Sequence, residues 1–113
     1  MRNGALEISF SVMGGPMQAQ GHAHMVLCTQ IYGQNPQTAS DAPRWRFISG
    51  KKVAIEAGMD AQTVAGLEGL GHTISCESPD ASFAFGGAQL ICRLDDGYLA
   101  GSDHRKDGMA AGY

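Results

Sequence analysis

The chain has 113 residues, of which 43% are hydrophobic and 17% are charged, and its formal net charge at pH 7 is −3. This length allows one small domain and excludes two. The acidic balance and the scattered Lys and Arg residues argue against a nucleic-acid surface built on phosphate neutralisation. No apolar run is long enough for a transmembrane helix, and the first residues lack the apolar region of a signal peptide. We therefore expect neither nucleic acid nor a membrane among the partners.

The first third of the chain predicts a strand followed by a helix. Residues 6–12 alternate between polar and apolar side chains, which is typical of a half-buried strand. A glycine pair follows, and Pro16 then stands where the first residue of a helix tolerates the missing N–H. Apolar residues recur at helical spacing over residues 17–32, and Gly33 is a natural stop.

The middle of the chain predicts two further helices and a hairpin. A polar cap followed by proline indicates a short helix over residues 35–40. Residues 45–48 and 53–56 predict the two strands of a hairpin. Asp60 caps another helix, which Gly71 closes. Its predicted inward-facing residues are Val64, Leu67 and Leu70.

The last third predicts strands at residues 72–77, 88–94 and 98–100, with Asp96-Gly97 as a tight turn between the last two. Helices and strands alternate along the chain, but this final pair is antiparallel. The fold class is therefore mixed α/β (α+β) with an at least partly antiparallel sheet.

The composition resembles a protein interior more than a surface. Sixteen glycines and few charged residues are unusual for a small free-standing domain, which normally covers its core with charge. We therefore expect apolar faces that need covering by material outside this chain, as in a fragment of a larger protein.

The three cysteines predict free thiols, because they are odd in number, widely spaced and set in apolar stretches. We expect them to be buried, which argues against a thiolate nucleophile. They are Cys28, Cys76 and Cys92.

The glycine pair Gly14-Gly15 is the main candidate for a chemical role. Unpaired N–H groups at a helix start carry partial positive charge, and glycines let an anion or a developing oxyanion approach the backbone closely. The alternative is that the pair only makes a sharp turn. A dinucleotide fingerprint needs a third glycine at another offset and a distal acidic residue, which Gly21 does not supply.

Other residues offer no convincing catalytic or metal site. His22 and His24 are two positions apart, so on a helix their rings point in different directions, which is poor geometry for chelation. No G-x-S-x-G nucleophile elbow is present. We predict no cofactor and no metal.

Five ordered segments resemble motifs of the gamma-glutamyltranspeptidases. Residues 10–22 are similar to the glycine-pair segment, which bacterial members commonly carry as G-G-x-M-Q-P-Q-G-H. Residues 32–37 resemble F/Y-G-M-N-P-Q, and residues 41–45 resemble D/N-A-P-R-F/W. Residues 85–89 and 101–113 resemble the closing motifs, including the terminal G-Y. Together the segments cover most of the chain.

This resemblance implies an N-terminal nucleophile hydrolase, with a four-layer αββα sandwich and a largely antiparallel sheet. In such enzymes autocleavage of a precursor exposes a threonine, whose hydroxyl attacks a γ-glutamyl amide while its own amine acts as base. The acyl-enzyme then passes to water, an amino acid or a peptide. By resemblance, the N–H groups of Gly14 and Gly15 form the oxyanion hole. The implied location is periplasmic, extracellular or cytoplasmic.

The resemblance also implies that residues 1–113 are one partial domain, the C-terminal segment of the small subunit. The family's nucleophilic threonine and its glutamyl-binding residues lie upstream of the matching motif, and the threonines of this chain stand in the wrong context to replace it. The implied partners are a γ-glutamyl compound such as glutathione, an acceptor, the large subunit and the rest of the small subunit. Ala19 and His104 depart from the family pattern, which usually has proline at both positions.

Two other hypotheses remain open. One is an inactive scaffold or interaction module that keeps the fold without the nucleophile. The other is a related amidase of the same fold, such as a cephalosporin acylase or a capsule-processing transpeptidase. The isolated chain is expected to be catalytically inactive and poorly stable under the fragment hypothesis.

Overall fold

A computed structural model of the chain describes residues 3–78 and 83–112. Three α-helices lie within these ranges: α1 (Gln18–Val26), α2 (Pro36–Asp41) and α3 (Ala61–Gly69). The strands within them are β1 (Ile8–Met13), β2 (Trp45–Ser49), β3 (Lys52–Glu56), β4 (Thr73–Glu77), β5 (Gly87–Arg93) and β6 (Tyr98–Ser102). All the predicted elements are present, and their ends differ from the prediction by up to two residues, apart from the ends of the first helix.

The first helix, predicted as one long α-helix, consists of three consecutive segments of different helix types. A 3₁₀ turn at Gly15–Met17 leads into α1, and a π turn at Leu27–Ile31 follows it. The Thr29 hydroxyl donates a hydrogen bond to the Met25 carbonyl oxygen at 2.7 Å, at the point where the helix widens. The path ends at Gly33, whose φ of 63° is in the left-handed region.

The strands form two three-stranded sheets. The first sheet has the order β1-β5-β6 and is antiparallel throughout. The second sheet has the order β2-β3-β4, in which the β2–β3 hairpin is antiparallel and β3 pairs with β4 in parallel. The parallel pair needs a crossover, which α3 provides. The fold is thus mixed α/β with mainly antiparallel pairing, as predicted.

The hydrophobic core lies between the first sheet and the helices α1 and α2. The alternation in β1 turns Ile8, Phe10 and Val12 to this side, where register places Phe10 beside Leu90. The buried cluster consists of Val12, Met25, Cys28, Ala39, Ala88 and Leu90.

Two glycines permit the close packing of this core. A Cβ added at Gly21 in α1 would lie 2.6 Å from Cγ1 of Val12 in β1. A Cβ added at Gly101 in β6 would lie 2.7 Å from the carbonyl carbon of Pro36 in α2. Because these distances are far below van der Waals contact, both helices approach the sheet only where a side chain is missing.

Two expectations about burial are wrong. Leu70, predicted to face inward from the third helix, is 71% exposed, and α3 buries none of its residues although it packs against β4. Cys76 is exposed and Cys92 is intermediate, so only Cys28 is a buried thiol, although all three are free as predicted.

The face of the first sheet that points away from the helices is open. It carries Ile91 and Tyr98, which are 50% and 74% exposed. The π turn likewise leaves Ile31 and Tyr32 exposed. None of the helices in the described residues has the length and apolar character needed to cross a membrane.

Candidate functional site

The glycine pair lies between the end of β1 and the start of the helical segment. The last β1 pairs, Val12 with Ala88 and Met13 with Gly87, fix the strand end. Gly14 follows with φ 152° and ψ 20°, and Gly15 has a φ of 58°. The Met17 N–H donates to the Gly14 carbonyl oxygen at 3.2 Å and so starts the 3₁₀ turn.

Gly14 is held by a second glycine turn. A Cβ on Gly14 would lie 3.2 Å from the Cα of Gly86, and a Cβ on Gly86 would collide with the Met13 carbonyl oxygen. Gly86 has a φ of 73°. The two turns therefore fix each other through backbone contact, and this explains the glycine at position 86.

The N–H groups of Gly14 and Gly15 are two neighbouring donors at the start of the 3₁₀ turn. Neither donates a hydrogen bond to residues 3–78 or 83–112, and Pro16 has no N–H to donate. Gly15 is exposed, and a Cβ on it would have no atom within 4 Å in the structure. Such a pair of donors can donate hydrogen bonds to an anion or to a developing oxyanion.

His22 ties α1 to the edge of β1. Its Nδ1 lies 2.7 Å from the Gln18 carbonyl oxygen, and the Val12 N–H donates to its Nε2 at 3.4 Å. This pattern requires the tautomer with the proton on Nδ1. The bond fixes the strand two residues before Gly14, whereas His24 lies near the charges of Arg44 and Arg105, so the two histidines do not converge. The described residues contain no group of three side chains able to hold a metal ion.

A cavity of about 330 Å³ opens beside Gly14. We call it the Gly14 cavity. One wall comes from the helix start, with Pro16, Met17 and Gln20. The opposite wall comes from the hairpin, with Arg46 and Phe47, and Phe83 stands at its rim.

A buried network of charges joins the two sheets. The Arg44 guanidinium donates to Asp103 at 2.6 Å, and both residues are fully buried. Arg105 donates to Glu56 through two of its nitrogens and to Asp103 at 3.2 Å. The Arg44 N–H also donates to Glu56 at 2.7 Å. We call these four residues the Arg44–Asp103 network.

The network brings together segments that the sequence keeps apart. Arg44 belongs to the D-A-P-R segment before β2, whereas Asp103 and Arg105 follow β6. Glu56 ends β3 and was not singled out from the sequence. The sequence feature that could have identified Glu56 is its place as a single acidic residue directly after the apolar run 53–55. A charged side chain at such a buried position needs a partner of opposite charge.

Two opposing effects set the pKa of Asp103. Burial raises it, but hydrogen bonds from the N–H groups of Ala88 and Arg105, together with the Arg44 charge, outweigh burial and hold this pKa below its ordinary value. Burial also lowers the pKa of Arg44. For Arg105 burial lowers the pKa, and the Glu56 carboxylate more than compensates, so the net pKa is raised.

His24 makes the stability of the fold depend on pH. Burial and the charges of Arg44 and Arg105 lower its pKa from the ordinary 6.5. His24 therefore takes up a proton more readily in the unfolded chain than in the folded chain. As a result, the free energy of unfolding has its full value above pH 6.5 and decreases as the pH falls from 6.5 through the lower pKa of the folded state. We expect the free energy of unfolding to fall less between pH 7 and pH 5 in the His24→Gln variant than in the unmodified chain.

This loss can be measured by urea unfolding, followed through the fluorescence of Trp45. His104→Gln is the matched control, because this imidazole is half exposed, and the fall should persist in that variant. An unchanged fall in His24→Gln would show that another group causes it.

Comparisons with known proteins agree on one family. The sequence profile of the Gamma-glutamyltranspeptidase family matches residues 1–113. The Glutathione hydrolase-like YwrD proenzyme of Bacillus subtilis (strain 168) is 28% identical over 117 residues, which cover 98% of this chain and 22% of that protein. The chain thus spans about a fifth of the length of this curated relative.

Solved structures share the fold. A cephalosporin acylase from Bacillus halodurans superposes with a TM-score of 0.84 at 40% identity, over 92% of this chain and 19% of that one. The gamma-glutamyltranspeptidase from Pseudomonas nitroreducens complexed with L-DON superposes with the same TM-score of 0.84 at 15% identity, over 100% of this chain and 58% of that one.

These likenesses and the placement of the motifs point the same way. The profile covers every residue, and the segments that resemble the family motifs contain the two glycine turns and three of the four members of the Arg44–Asp103 network, Arg44, Asp103 and Arg105. The fold of this chain is that of part of an N-terminal nucleophile hydrolase. The chain belongs to the gamma-glutamyltranspeptidase family.

Proposed function

We propose that this chain supplies the oxyanion hole of an enzyme that cleaves γ-glutamyl amides, with Gly14 and Gly15 as the two N–H donors. The observation that carries the proposal is the pair of backbone N–H groups that find no acceptor within the described residues, at a rigid turn beside a cavity. A fixed pair of donors stabilises negative charge as it develops, without reorganising during the reaction.

In the proposed reaction the nucleophile comes from another segment. A threonine hydroxyl loses its proton to the threonine's own amine and attacks the amide carbonyl carbon. The carbonyl oxygen becomes an oxyanion, which the N–H groups of Gly14 and Gly15 stabilise. The C–N bond then breaks, the amine leaves with the proton, and water or a second amine takes the acyl group from the threonine.

The packing around Gly14 supports this role. An oxyanion hole acts well only when its donors are already in place before the charge forms. Here the Gly86 turn, the Val12–Ala88 pair and the His22 bond hold the end of β1 from three sides.

The partners in this proposal are a γ-glutamyl compound such as glutathione, an acceptor, and the segments that complete the enzyme. The need for further segments is supported by the length of the B. subtilis relative, of which this chain spans 22%. The name of that relative describes a glutathione hydrolase-like proenzyme. The large subunit and the upstream part of the small subunit would cover the open faces around Ile91 and Ile31.

A cephalosporin acylase is the second candidate. The observation that favours it is the 40% identity to the B. halodurans acylase, above the 15% identity to the P. nitroreducens transpeptidase. Both activities would use the same oxyanion hole and differ in the acyl group that is recognised.

The test is activity in two settings. The purified 113-residue chain should not cleave γ-glutamyl-p-nitroanilide. A chimera in which residues 1–113 replace the matching segment of the B. subtilis YwrD proenzyme should process itself and cleave this substrate. A chain that is active alone, or a chimera that is processed and folded yet inactive, would contradict the proposal. The same segment swap in the B. halodurans acylase, assayed with a cephalosporin, tests the second candidate.

A further inference from the structure

The turn over residues 85–88 is bound at both ends by the Arg44–Asp103 network. The Arg44 guanidinium donates to the Phe85 carbonyl oxygen at 3.0 Å, and the Ala88 N–H donates to the Asp103 carboxylate at 2.6 Å. All four residues are buried. The network therefore fixes where the turn begins and ends, while the two glycines between these ends are positioned by what packs against them.

Gly87, the second of these glycines, is covered by the side chain of Lys106. A Cβ added at Gly87 would lie 2.7, 2.8 and 3.2 Å from Cγ, Cε and Cδ of Lys106. Because three consecutive carbons are this close, the aliphatic stem lies along the Gly87 backbone. Gly87 is not among the glycines with a positive φ, so its backbone conformation does not require glycine. The space that the Lys106 stem occupies explains the glycine at this position.

The ammonium of Lys106 contacts another residue of the same segment. Its Nζ lies 4.3 Å from the centroid of the Phe83 ring, within the range of a cation–π contact. The base of the side chain is also fixed, since the Lys106 N–H donates to the Asp103 carbonyl oxygen at 3.0 Å. One side chain, anchored on the buried network, thus contacts the segment over residues 83–87 at both of its ends.

This segment contacts Gly14 directly. A Cβ on Gly14 would lie 3.2 Å from the Cα of Gly86, and Gly87 pairs with Met13, the residue before Gly14. A displacement of Gly86 or Gly87 would therefore displace the backbone on both sides of the Met13–Gly14 peptide. The direction of the Gly14 N–H would change with it.

We propose that Lys106 is a positioning residue for the oxyanion hole. This assignment rests on the proposed function. The stem on Gly87 and the ammonium on Phe83 hold the segment over residues 83–87 against Gly14, so that the Gly14 N–H keeps its direction before the negative charge forms. Because an oxyanion-hole donor stabilises the transition state more than the bound substrate, loss of Lys106 should lower kcat and leave KM nearly unchanged.

The experiment measures kcat and KM of the YwrD chimera for γ-glutamyl-p-nitroanilide, at a temperature where each variant is folded and processed. Lys106→Ala removes both the stem and the ammonium, and we expect kcat to fall about fivefold to tenfold. Lys106→Met keeps a stem but removes the charge, so kcat should fall about twofold to fivefold, the equivalent of one exposed cation–π contact. Lys106→Arg keeps both parts and should restore most of the activity.

A second substitution tests the route through Phe83. Phe83→Leu removes the ring, so Lys106→Met should lower kcat much less in the Phe83→Leu background than in the unmodified chimera. An ammonium that acted directly on the oxyanion would have the same effect in both backgrounds, and that result would overturn the positioning role.

Lys52→Met is the matched control. Lys52 is exposed and begins β3 beside the hairpin turn, where it pairs with Ser49 and Thr73. This variant should leave kcat unchanged. A kcat that is unaffected by Lys106→Ala, or that falls equally in Lys52→Met, would overturn the role of Lys106 while leaving the proposed function intact. A folded, processed chimera that does not cleave the substrate would overturn both.

Discussion

Replacing Gly14 by alanine in the YwrD chimera is expected to lower kcat for γ-glutamyl-p-nitroanilide by about 10²–10³-fold, the usual effect of losing one oxyanion-hole donor. The physical reason is steric. Gly14 has a φ of 152°, which side-chain-bearing residues rarely adopt, and its new Cβ would lie 3.2 Å from the Cα of Gly86. Because the neighbouring atom belongs to the backbone, the glycine turn must move, and its N–H moves with it.

Gly58→Ala is the control for backbone strain. Gly58 also has a positive φ, of 95°, but its added Cβ would meet only the Pro43 ring at 3.8 Å. Both variants should lose stability, because alanine is strained at a positive φ. Only Gly14→Ala should lose catalysis at a temperature where both are folded. An equal fall in kcat for the two variants would mean that strain, and not the position of the donor, explains the effect.

Asp103→Asn is expected to lower the free energy of unfolding of the chimera by about 3–5 kcal/mol, as is usual when one partner of a buried ion pair is removed. Asp103 is fully buried and accepts hydrogen bonds from Arg44 and from the N–H groups of Ala88 and Arg105. Asparagine keeps the shape but not the charge, so the buried Arg44 guanidinium loses its counter-ion. The shift in thermal midpoint of the chimera measures the loss.

Asp41→Asn is the control for a surface pair. Asp41 and His104 lie 3.0 Å apart, with their side chains 45% and 50% exposed. Exposed pairs contribute at most about 1 kcal/mol. A midpoint that falls as much in Asp41→Asn as in Asp103→Asn would show that burial of the network adds nothing to stability.

The parts of the fold that the sequence predicts depend on local patterns. The alternation of Ile8, Phe10 and Val12 predicts β1, and the two-residue loop between β2 and β3 leaves little freedom in the register of that hairpin. The junction at Gly14 is predictable for the same reason, since strand and helix signals meet there. Its two open N–H groups follow from how helices begin.

The parts that the sequence does not predict depend on contacts between distant segments. Arg44 forms hydrogen bonds with Glu56, 12 positions away in the sequence, and with Asp103, 59 positions away, and no spacing rule connects these residues. Helical periodicity predicts that Leu70 faces inward, but periodicity does not show whether another layer covers that face. The division of the strands into two sheets likewise depends on pairing between strands distant in sequence, such as β1 with β5.

A crystal structure of the chimera in complex with a γ-glutamyl compound tests the central claim most directly, because the carbonyl oxygen of the γ-glutamyl group marks where the oxyanion forms. The proposed function predicts that this oxygen lies about 2.7–3.1 Å from the backbone nitrogens of Gly14 and Gly15. An oxygen bound by other donors, with both glycine N–H groups facing solvent, would contradict it.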